Sequence, residues 1–134
     1  MRFLERRRAA QAARYEAVQQ TLQWAEGQGL VTGRIQHVHQ RARRGSKAVV
    51  ILSTGYVVDC WFWYFRPEAG SFVVIQPSVG FGPHTGSSQV HFIGSETGGP
   101  DVRAVVPRRD VAFFDRYRAR AARRTTRDPS GGGR

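Results

Sequence analysis

The stretch "TGYVVDCWFWYF", residues 54–65, holds two tryptophans, four other aromatics and a single acid. A strand with one wet face alternates apolar and polar residues. This one is apolar on both faces, so it predicts a strand covered on both sides. Split by parity, Tyr56, Val58, Cys60, Phe62 and Tyr64 fall on one face. Their sizes suit a narrow interior, and this face is expected to point inward. Val57, Asp59, Trp61, Trp63 and Phe65 form the other, which carries the acid and both indoles and is expected outward.

Strand-like patterns flank this segment. "LVTGRIQHVHQ" and "KAVVILS" precede it, joined by the basic hairpin loop "RARRGS", residues 41–46. After it, "RPEAG" supplies Pro and Gly at turn positions. "SFVVIQPSV" then predicts a fourth strand and "QVHFIG" a short fifth, separated by the loop "GFGPHTGSS". "VRAVVP" has the composition of an added edge strand. Five short strands joined by tight turns predict a small curled β-barrel of the oligonucleotide-binding (OB) or SH3-like type. The pattern over residues 30–94 resembles the first four strands of such barrels: a glycine within strand one, a polar hairpin, and a Pro/Gly turn before an apolar strand four.

Helices are expected at both ends, making the fold class mainly β with flanking helices (α+β). Residues 3–26 keep Leu4, Ala12, Tyr15, Val18, Leu22 and Ala25 on one stripe, and "EGQG" stops the helix. "PRRDVAFFDRYRARAARR" predicts a second helix over 107–124, with Val111, Phe114, Tyr117 and Ala121 as its apolar positions. The organisation expected is one domain: a basic amphipathic helix (1–28), a barrel (29–106), a basic helix (107–124) and a disordered tail (125–134).

The net charge is +11, and its distribution is uneven. Residues 1–47 carry +7, residues 48–102 carry −3, and residues 103–134 carry +7. The barrel body is therefore slightly acidic, while both ends and one loop are basic. An excess this large exceeds what solubility needs and predicts a polyanionic partner. Phosphate contacts are expected from Arg34, Arg41, Arg43, Arg44 and Lys47 around the hairpin. The second helix adds Arg116, Arg120, Arg123 and Arg124.

Trp61 and Trp63 admit two readings. The first helix needs a surface for its apolar stripe and is expected to lie over them. Alternatively they stack on bases, each stack being worth roughly 1–3 kcal/mol. Both hold if one indole stays uncovered. Phe81 is a further stacking candidate.

Other chemistry is thinly represented. Cys60 is the single cysteine, so no internal disulfide forms, and a mid-strand thiol is read as a small buried hydrophobe. His37 and His39 point the same way but lack a second cysteine or a suitably spaced acid, so no metal or other cofactor is expected. There is no Walker-type glycine motif and no Gly-x-Ser-x-Gly elbow, and the chain reads as non-enzymatic. Its apolar runs, "AVVIL" and "CWFWYF", fall far short of the ~18 residues of a membrane span. No apolar core follows the basic N-terminus, so the cytoplasm is the expected compartment.

The sequence thus predicts a non-enzymatic nucleic-acid-binding protein, for DNA or RNA, largely indifferent to base sequence. The competing expectation is a structural or assembly module, whose basic arms dock on an acidic protein surface or whose barrels join edge to edge in a ring or a viral or secretion-type particle.

Overall fold

The computed structural model describes residues 2–81 and 89–127. It is α+β and mainly β: α1 (Arg2–Gly27), β1 (Val31–Arg41), β2 (Gly45–Leu52), β3 (Val57–Trp63), β4 (Phe72–Ile75), β5 (Ser78–Phe81), β6 (Gln89–Ile93), β7 (Val102–Val106) and α2 (Arg108–Arg127). The strands form one mixed sheet in the order β5-β6-β3-β2-β1-β4-β7.

The ladder departs from the expected small five-stranded barrel: among the described residues it contains seven strands and does not close. The predicted fourth strand is broken at Gln76–Pro77 into β4 and β5, because proline cannot donate to a ladder. "VRAVVP" is the edge strand β7, antiparallel to β4. β5 and β7 are the two edges, and no hydrogen-bonded ladder joins them.

The open sheet is nonetheless strongly curled. In a flat sheet β4 and β5 would lie five strand steps, about 24 Å, apart. Yet Ile75 and Ser78 are separated by three peptide links, at most about 11 Å. Only a sheet rolled on itself satisfies both. Within it β1, β2 and β3 form an antiparallel meander, β4 pairs antiparallel with β1, and β6 runs parallel to β3.

The inner side holds the larger core: Ile35, Ala48, Val50, Leu52, Cys60, Phe62, Val73, Ile75 and Ile93. The inward parity expected for β3 therefore holds at Val58, Cys60 and Phe62. It fails at the ends, where Tyr56 and Tyr64 are exposed. Tyr56 lies before the strand begins, and Tyr64 has φ 52°, which ends the alternation.

The second core joins both helices to the other face of β4 and β7. Val18 of α1 and Val111 and Phe114 of α2 pack with Phe72 and Val106, flanked by Tyr15 and Leu22. This overturns the expectation that α1 covers Trp61 and Trp63. The reason lies in the connections. α1 reaches β1 after three residues and α2 follows β7 after Pro107, so both helices are held on the β1-β4-β7 side. β4, not β3, is the strand they cover, and all four of its residues are buried. On α2, Phe113 is buried and Ala121 exposed, and the helix runs three residues past its expected end at 124. Residues 128–134, most of the expected tail, lie outside the described residues, as does most of the glycine-rich loop.

Candidate nucleic-acid interface

The outer face of β3 faces two neighbours. Lys47 of β2 and Phe92 of β6 stand in register with Trp61. The Trp63 ring meets the Trp61 indole edge-on, with centroids 5.5 Å apart. Beneath that indole lies Gly45: a Cβ there would come within 2.6 Å of the ring and 2.5 Å of the Phe62 carbonyl oxygen. Local strand pairing thus covers Trp61, which is 5% exposed, without help from a helix. Trp63, paired with Gly45, is half-buried and keeps part of its ring at the surface.

Asp59, on the same face, does not stand alone. His39 Nε2 lies 2.8 Å from its Oδ1, and Lys47 Nζ lies 3.5 Å from its Oδ2. The His37 and His39 rings are roughly parallel, with centroids 6.1 Å apart. The acid that would repel phosphate from this face is therefore flanked by two bases. Cys60 points inward, and its thiol is pushed up to about 12, first by burial and then by the Asp59 carboxylate. It is a structural residue with almost no thiolate at neutral pH.

At the end of the meander the hairpin closes with the Ala42 N–H donating to the Gly45 carbonyl. The Tyr64 N–H donates to the Arg44 carbonyl at 2.8 Å, bringing the chain after β3 under the loop. Ala42, Arg43, Gly45, Tyr64, Phe65 and Arg66 surround a small cavity of about 300 Å³ there. Tyr64 is 46% exposed and tilts against Trp63 at 6.0 Å. A tyrosine with positive φ is uncommon, and such conformations cluster at ligand sites. Sequence reading placed Tyr64 in the core and omitted it and Arg66 from the site. Its one signal was the Arg-Pro pair at 66–67, which marks the strand's end.

The nominated basic residues separate into two groups. Arg34 is engaged by α2: its guanidinium lies 3.1 Å from Asp115 and 5.1 Å from the Phe72 ring centre. Arg44 pairs with Glu96, and Lys47 with Asp59. By contrast, Arg41 and Arg43 are exposed, as are Arg116, Arg120, Arg123 and Arg124, and none has an ion-pair partner among the described residues. The hairpin cavity thus joins Arg43 to Tyr64 and Arg66, with Trp63 against Tyr64 and Arg41 at the end of β1 in register with Ser46, while the second set lies on α2. Phe81 ends β5, and its side chain lies outside the described residues.

No protein-family model, curated protein or solved structure matches the chain. No helix among the described residues is long and apolar enough to cross a membrane.

Proposed function

We propose that this chain is a non-enzymatic nucleic-acid-binding protein that holds a strand by its phosphates, with little preference for base sequence. One observation carries the reading: the arginines divide into those tied to carboxylates and an exposed set without partners. Arg14, Arg34, Arg44 and Arg103 are paired, whereas Arg41, Arg43, Arg116, Arg120, Arg123 and Arg124 are not, among the described residues. Unneutralised arginine near an exposed aromatic suits a strand of nucleic acid, whose phosphates take the charge and whose bases take the rings.

The connectivity supports an OB-type scaffold for this function. Taken as one strand bent at Pro77, β4–β5 pairs with β1 through its first half and with β6 through its second. With the β1–β3 meander and the parallel β3–β6 pair, this pairing pattern is the one a partly open five-stranded OB-type barrel would have, with β7 added outside. OB barrels bind strands across the second and third strands and the loop between the first two. Those positions here are Trp63, Tyr64 and the 41–44 hairpin.

Titrating an oligonucleotide into the protein while following tryptophan fluorescence, at several salt concentrations, tests the proposal. Quenching is expected, with log affinity falling steeply against log salt. A flat salt response overturns it. The assembly reading draws on the edge strand β7, where Val105 is 47% exposed. A defined oligomer that elutes free of nucleic acid and ignores added oligonucleotide would favour it.

A further inference from the structure

The outer halves of α1 and α2 form a second basic surface that the hairpin site does not use. The helices run antiparallel: Tyr15 stacks on both Phe114 and Tyr117 at 4.7 Å, and Arg14 binds Asp110 at 2.7 Å. Beyond these contacts every residue from 2 to 10 on α1 and from 118 to 126 on α2 is exposed. Between them lies a cleft of about 810 Å³. Arg7 and Arg8 line one wall and Arg120 and Arg124 the other; Tyr117 closes the inner end and no carboxylate lines it.

We propose that this cleft is a binding site for the sugar–phosphate backbone of a nucleic-acid strand, a proposal that rests on the reading of the chain as a nucleic-acid binder. Four guanidinium groups around one cleft repel each other unless an anion lies between them. Arg120 and Arg124 are one helical repeat apart, a rise of about 6 Å, which is close to one phosphate step along a strand. Arg116 extends the same row inward. Walls on both sides let guanidinium groups reach a backbone from two directions, each as a bidentate fork. The floor is shallow: Ala9, Ala12 and Ala121 contribute one methyl each, and Leu4 and the Tyr117 ring supply the remaining apolar surface. So small an apolar area gives a protein helix little to dock on, and a second copy of this cleft would bring like charge to like. A polyanion whose binding is mainly electrostatic fits best.

The site also engages α1, whose arginines stand far along the sequence from those of α2. A strand held at both the hairpin and the cleft gains by effective concentration, so loss of either weakens the whole.

The test is fluorescence anisotropy of a labelled single-stranded oligonucleotide with the full chain, between about 50 and 200 mM salt. Arg7 and Arg8, Arg120 and Arg124, and all four are replaced by Ala, with the same four replaced by Lys as charge-retaining controls. Circular dichroism verifies that helix content is kept. The four-Ala variant is expected to flatten the log affinity–log salt slope by about 3, at roughly 0.7–0.9 for each phosphate no longer neutralised, and each pair by about half of that. The Lys variant is expected to keep the slope. An unchanged slope in the four-Ala variant, with R41A/R43A still flattening it, overturns the cleft while the hairpin reading stands. No binding by the unaltered chain overturns both. An acidic helical peptide that binds more tightly than the oligonucleotide, and loses binding with the same four substitutions, overturns the choice of ligand.

Discussion

Arg34 on β1 reaches across to Asp115 on α2, 3.1 Å away, with its guanidinium over the Phe72 ring. The pair fastens the second helix to the strand that begins the meander. Both side chains are more than two-fifths exposed, so solvent screens the attraction and the ion pair alone contributes about 0–1 kcal/mol. Contact with Phe72 adds a comparable amount, about 0.5–1 kcal/mol. Arg34→Ala is therefore expected to lower stability by about 1 kcal/mol and to leave the salt slope of oligonucleotide binding unchanged. A double-mutant cycle with Asp115→Asn checks the coupling. A flattened salt slope for R34A would show instead that this arginine contacts phosphate.

The two indoles are expected to behave differently. Trp61 is buried against Gly45 and beside Lys47 and Phe92, so Trp61→Ala is expected to cost about 3–5 kcal/mol of stability. Trp63→Ala is expected to cost much less and to weaken oligonucleotide binding by up to about 1–3 kcal/mol. Chemical denaturation and anisotropy measured on both variants separate these outcomes.

Tyr64 holds a positive φ that non-glycine residues adopt at a cost of order 1–3 kcal/mol. Tyr64→Gly removes the strain and the exposed ring together. The variant is expected to match or exceed the parent in stability while binding oligonucleotide more weakly. Equal affinity with unchanged stability would remove Tyr64 from the site.

Cys60 makes stability depend on alkaline pH. Its folded thiol titrates near 12, against an ordinary 9.0, because burial and the Asp59 carboxylate disfavour the thiolate. Between these values the unfolded chain has lost the proton and the folded chain keeps it. The contribution of Cys60 is therefore level below about pH 9 and is lost as pH rises toward 12. Denaturation midpoints at pH 8 and pH 10.5 are expected to drop less in Cys60→Ala than in the parent. Thiol reagents at neutral pH are expected to label the native chain only as fast as it opens.

Periodicity in the chain was enough to place most of the elements. The helix α1, the meander, the basic hairpin and the edge strand "VRAVVP" were all legible, because 3.6- and 2-residue repeats reflect local backbone geometry; the α1 stripe is covered only from Ala12 to Ala25, and Leu4 is exposed. Proline at 77 was legible as a strand end but not as a mid-strand corner, since that depends on which neighbour each half pairs with. Charge segregation was also visible. What it did not reveal was which arginines meet carboxylates: Arg34 and Asp115 are 81 residues apart, and nothing local links them.

The sequence by itself determined a basic, mainly β chain with helices at both ends, since composition and short-range repeats are properties of the chain alone. The tertiary structure decided that the helices cover β4 rather than the tryptophan strand, and that Arg7 and Arg8 stand across a cleft from Arg120 and Arg124. Both depend on which surfaces short connections allow to meet, and on long-range pairing energies that no local window contains.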